Sequence, residues 1–97
     1  MNKREKGKKL EYIVADYLKE IDKYARPTKA SGGSTEISDV LNRYFFVECK
    51  NRNRENLIID RAVWNHLIEQ LPVDTSKIPI LVQRNNEGKI FLGLSIL

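Results

Sequence analysis

The chain has 97 residues, 41% apolar and 31% charged, a net charge of +4 and one cysteine. That length bounds it to a single domain over residues 1–97, burying about two-thirds of the unfolded surface, with no room for a separate substrate domain. One cysteine excludes an internal disulfide and a cysteine-based zinc site, and no apolar run approaches the roughly 20 residues of a membrane span.

The opening MNKREKGKK carries five cations, Lys3, Arg4, Lys6, Lys8 and Lys9. They read either as a solvated, frayed helix start or as an arm lying on a phosphate backbone. No apolar segment with a small-residue cleavage site follows, so no secretory signal is expected, and a cytoplasmic location fits the reduced cysteine. A helix is predicted from Leu10, where Leu10, Ile13, Val14, Tyr17, Leu18 and Ile21 form one stripe, with Glu11 on its flank. Pro27 ends any continuation and favours extended backbone at Arg26, within a short extended piece over 25–29. Ser31-Gly32-Gly33-Ser34 then reads as a loop, either a plain connector or a cradle whose amides and hydroxyls hold a phosphate.

Residues 37–50, ISDVLNRYFFVECK, predict two strands joined at Asn42-Arg43. With Leu41 opposite Tyr44, Asp39 stands opposite Phe46 and diagonal to Glu48, on the same face and roughly 7–8 Å away. Glu48 and Lys50 share that face by strand alternation, and Cys49 points to the other, as a small buried hydrophobe. NRNREN follows as a polar turn with Arg52 and Arg54. A second helix is expected over 59–71, started by Asp60, stopped by Pro72 and apolar along Ala62, Val63, Leu67, Ile68 and Leu71. Trp64 reads as packing, and the lone His66 as a residue of the polar or boundary face. A strand over 78–83, a turn at Asn85-Asn86-Glu87-Gly88 and a last strand over 89–94 complete the chain. The order is α-β-β-β-α-β-β, an α/β domain with a central mixed β-sheet flanked by helices.

Two carboxylates and an ammonium converging at a strand end suit a hard divalent cation and a water. Magnesium prefers oxygen ligands and keeps several waters, so Asp39 and Glu48 with the backbone carbonyl of Cys49 meet its needs. Lys50 is placed to orient or deprotonate a water and to steady developing charge on a phosphodiester. The bland alternative is a solvated Glu-Lys pair at a strand end. Against it, acids emerging from the apolar Phe45-Phe46-Val47 are costly unless they bind something.

Asp39 with Glu48-Cys49-Lys50 resembles the D…ExK signature of the PD-(D/E)xK nuclease superfamily, and within it the archaeal-type Holliday junction resolvases. Gly7 and Glu11 at the head of the first helix, Arg26 with Ala30-Ser31-Gly32-Gly33-Ser34, and Ile78-Pro79-Ile80-Leu81-Val82 resemble further motifs of those resolvases, in order, over residues 6–95. Ser38 stands where the family has a proline. The resemblance implies a restriction-endonuclease-like fold and magnesium-dependent cleavage of branched DNA, with manganese able to substitute, in recombination and repair. It implies Glu11, Asp39 and Glu48 as metal-site acids, Lys50 as the catalytic lysine, Ser31 beside the scissile phosphate, and a homodimer. Lys6, Lys8, Lys9, Arg26, Lys29, Ser34, Arg52 and Arg54 would line the DNA. The alternatives are a nicking or restriction-type nuclease on linear or single-stranded DNA, and a non-catalytic DNA-binding subunit with the same fold.

Overall fold

The first helix, α1 (Leu10–Leu18), buries Leu10, Ile13, Val14, Ala15 and Leu18. The structure, a computed structural model, describes residues 8–29 and 38–94. The expectations placed on Lys3, Arg4, Lys6, Gly7, Ser31 and Ser34 therefore lie outside the described residues. Two members of the expected stripe are not in the core: Tyr17 is 76% exposed and Ile21 54%. The helix closes before Ile21, where Glu20 and Ile21 bond carbonyls three residues back, at Tyr17 and Leu18. The small Ala15 takes a close-packed place instead, which turns the buried stripe away from Tyr17.

After α1 come β1 (Arg26–Pro27), β2 (Val40–Leu41), β3 (Phe45–Asn51), α2 (Arg61–Gln70), β4 (Ile78–Arg84) and β5 (Ile90–Leu94). β1 and β2 form a short antiparallel ribbon, with Arg26 opposite Leu41. β3 and β4 run parallel from Phe45↔Ile78 to Asn51↔Arg84, and β4 pairs antiparallel with β5. A parallel pair needs a crossover, and α2 supplies it. Among the described residues the protein is thus a small α/β structure with a mixed three-stranded sheet, an antiparallel ribbon and two helices.

The faces of the sheet are divided by alternation. Val47, Cys49, Ile80 and Val82 pack with the buried side of α1, whereas Phe46 and Leu81 pack with Leu67 of α2. α2 is shorter than expected, because the Asp60 carboxylate caps it, accepting from the Ala62 N–H at 2.8 Å, and leaves Ile59 outside and exposed. Ala62 and Ile68 are exposed, contrary to expectation, and only Leu67 is fully buried, with Val63, Trp64 and Leu71 around it. His66 is exposed. In the β4–β5 turn the Asn85 Oδ1 accepts from the N–H groups of Glu87 and Lys89, and Gly88 takes φ 86°.

The expected hairpin at Asn42-Arg43 is corrected. β2 pairs with β1, and among the described residues no ladder joins it to β3. The buried Asn42 side chain builds the corner: its Oδ1 accepts from the N–H groups of Tyr44 (2.9 Å) and Phe45 (2.7 Å). Its Nδ2 donates to the carbonyls of Val40 (3.1 Å) and Phe45 (3.0 Å). The Asp39 N–H reaches the Val47 carbonyl at 2.8 Å, so Asp39 stands opposite Val47 rather than Phe46.

Candidate active site

On an ideal ladder that one-residue slip would turn the Asp39 side chain to the far face. The ladder is broken here by side chains. The Ser38 Oγ accepts the Val47 N–H at 2.9 Å, and the Asp39 carbonyl accepts from the Thr28 N–H at 3.1 Å. Ser38 also donates to the carbonyls of Val40 and Val47, a bridge that the proline of the resembled motif could not make. Freed from the ladder, the Asp39 carboxylate accepts from the Cys49 N–H through Oδ2 at 2.7 Å.

Burial raises the Asp39 carboxyl above the ordinary aspartate range. The neighbouring charges of Glu48 and Glu11 raise it further, while the Cys49 N–H and Lys50 oppose the shift. Three of the expected residues, Glu11, Glu48 and Lys50, therefore act electrostatically on a fourth, Asp39. Lys50 Nζ lies 3.0 Å from Glu48 Oε1, and that glutamate side chain is only 13% exposed. The Cys49 thiol is buried and free, its pKa pushed far up by burial and then by the acids around it, so it stays protonated and unreactive.

Glu11, in the first turn of α1, and Asp39 line one open cleft of about 920 Å³, whose cations are Lys9, Arg26 and Lys29. The expected residues do not all gather there. Lys8 is in an ion pair with Asp16. Arg52 and Arg54 line a different cleft, of about 330 Å³, beside the start of α2. The expected common face is corrected: Glu48 and Lys50 alternate onto the sheet face that carries Phe46 and α2, whereas Asp39 lines the cleft of Glu11 with Asn51, on the α1 side.

Two residues of this region were not anticipated. Asn51 lines the acid cleft, and its Oδ1 accepts from Arg84 Nε at 2.8 Å, while Arg84 Nη1 donates to the Lys8 carbonyl at 2.7 Å. Arg84 thereby ties the segment before α1 to the ends of β3 and β4. Strand alternation from Cys49 would have placed Asn51 on the α1 face; nothing local in the sequence marks Arg84.

The donor set suits a hard cation in type, since every side-chain donor is a carboxylate oxygen. It does not present a ready cage: among the described residues, no three His, Cys, Asp or Glu side chains are grouped to hold a metal. Magnesium bound through one or two carboxylates, with waters and a phosphate filling its shell, needs no such cage. Compared with family models, with curated proteins and with solved structures, the chain gives no match.

Proposed function

We propose that this protein is a metal-dependent DNA endonuclease of restriction-endonuclease-like fold, structure-selective and suited to branched DNA. One observation carries the reading. The part-buried Asp39 carboxyl lines one cleft with Glu11, Lys9, Arg26 and Lys29, and it feels the like charges of Glu48 and Glu11 and the opposite charge of Lys50. Gathering acids out of water costs stability unless a cation answers them, and a basic rim attracts the polyanion whose chemistry that cation would assist. The order α-β-β-β-α-β-β, with β3 parallel to β4, supports the same reading.

Asp39 and Glu48 would hold magnesium or manganese, with Glu11 and the Cys49 carbonyl as further oxygens. When bound, the ion supplies neutralisation of the non-bridging phosphate oxygens and a more acidic water. The protein's own groups do the rest. The Cys49 N–H fixes the Asp39 carboxylate, Glu48 holds the Lys50 ammonium, and Lys50 orients the attacking water and steadies negative charge. Lys9, Arg26 and Lys29 bind flanking phosphates.

Asp39→Asn and Lys50→Ala are each expected to lower cleavage by about 10²-fold or more, as loss of a positioned acid–base group does, with DNA affinity kept within a few fold. Nicking that survives in both variants overturns the site. Among the described residues no three acids are grouped to hold a metal, which suits a second reading, a DNA-binding subunit without cleavage. Calorimetric titration with magnesium and manganese separates them: heat of binding abolished by Asp39→Asn supports the nuclease, and no heat from the wild type supports the subunit.

A further inference from the structure

The second cleft has a composition of its own. Arg52, Arg54 and Arg61 all line it, around a volume of about 330 Å³. Its single acid, Asp60, spends a carboxylate oxygen on the N–H of Ala62 at the start of α2. Among the described residues neither Arg54 nor Arg61 is in an ion pair, and both are exposed. Three cations sharing so small a space repel one another, and the described structure answers them with a lone carboxylate.

Arg52 is held in place. Its Nε donates to the Oε1 of Gln83 at 3.0 Å, its N–H donates to the Arg84 carbonyl at 2.9 Å, and Gln83 is itself 95% buried, being 5% exposed. Gln83 is the strand partner of Lys50, so the buried amide that positions Arg52 sits beside the proposed catalytic lysine. Glu48, Lys50 and Arg52 follow one another at intervals of two along β3 and its extension, a step of about 7 Å. A polar line thus runs along β3 from the acid site towards the arginine cleft.

We propose that Arg52, Arg54 and Arg61 form a second phosphate-binding subsite, which takes the DNA backbone on the side of Lys50 opposite to Lys9, Arg26 and Lys29. The scissile phosphate would then be gripped from both sides, with Gln83 coupling the outer grip to the catalytic strand. This deepens the nuclease reading and rests on it for the identity of the polyanion.

The test is the affinity of a short fluorescent DNA duplex for the full chain, followed by anisotropy in a chelator, so that metal and cleavage play no part. Arg54→Gln with Arg61→Gln is the variant, read from about 50 to 200 mM salt. It should bind at least tenfold more weakly, with a salt slope shallower by about two phosphates' worth. The control, Lys23→Gln with Lys89→Gln, removes equal charge from residues lining neither cleft; it should keep the wild-type slope. Melting temperatures confirm that each variant folds. An arginine variant with wild-type affinity and slope overturns the subsite, as does an equal loss in the control. If the arginine effect is present but the wild type cleaves no DNA with metal, the nuclease reading falls and the phosphate subsite stands. If the wild type binds no DNA even at low salt, both fall.

Discussion

Ser38 and Asn42 do with side chains what a hairpin would do with backbone, and Asp39 is the beneficiary. A carboxylate in a regular ladder would point straight out from the sheet. Here the backbone of Asp39 is shared between Val47 and Thr28, and the side chain bends to the Cys49 N–H. The identity of the acids was legible in the sequence, because Asp and Glu-x-Lys beside an apolar strand are chemically conspicuous. Their register was not, since it depends on hydroxyl and amide bonds that strand alternation ignores. The raised Asp39 pKa has a consequence for stability. The folded chain holds that proton more tightly than the unfolded one, so between the ordinary value of 3.8 and the raised folded value the native state binds more protons. Stability from this group therefore falls as pH rises through that window and stays lower above it. Asp39→Asn keeps an oxygen for the Cys49 N–H and removes the charge. Followed by thermal melts without metal, it should melt above wild type at pH 7, with the gap closing as pH drops through 3.8. A variant melting below wild type at pH 7 contradicts the assignment.

The two helices differ in how firmly they are held. α1 buries five residues against the sheet, from Leu10 to Leu18, and α2 fully buries Leu67 alone. The sequence predicted both helices, because apolar spacing and the Asp60 cap are local signals. It overestimated the apolar face of α2, where Ile68 is 40% exposed and Ala62 faces out. Periodicity reports which side of a helix is apolar and says nothing of how wide a surface the sheet offers. β3 and β4 present only Phe46 and Leu81 to the buried part of α2. Leu67 is therefore the pin of this element, and Leu67→Ala should cost about 2–5 kcal/mol. In native-state hydrogen exchange the amides of α2 should open at lower free energy than those of β3 and β4, and the Leu67→Ala variant should widen that difference. Uniform protection across α2, β3 and β4 would show a helix anchored by more than this contact.

At the scale of the whole molecule, the chain order of elements was the most legible feature, because each strand and helix carries its own pattern and its own stop signal. The grouping of cations was the least. Lys8, Lys9, Arg26, Lys29, Arg52 and Arg54 look alike in sequence, yet folding pairs Lys8 with Asp16 and divides Arg52 and Arg54 from the cleft of Lys9, Arg26 and Lys29. Size then limits what one copy can grip. The principal extents are 39 × 30 × 29 Å, so a single copy spans about one turn of duplex DNA, roughly 34 Å or 10 base pairs. Affinity for linear duplex should accordingly rise with length and level off near one turn per bound copy. On the proposed reading, a four-way junction, which offers such turns side by side, would engage two copies at once, the second with the advantage of proximity. If the protein acts on branched DNA as a pair, an unlabelled four-way junction should displace a labelled duplex at least tenfold more effectively than linear duplex of equal total length. Equal competition would assign the proposed nuclease cleft to linear DNA.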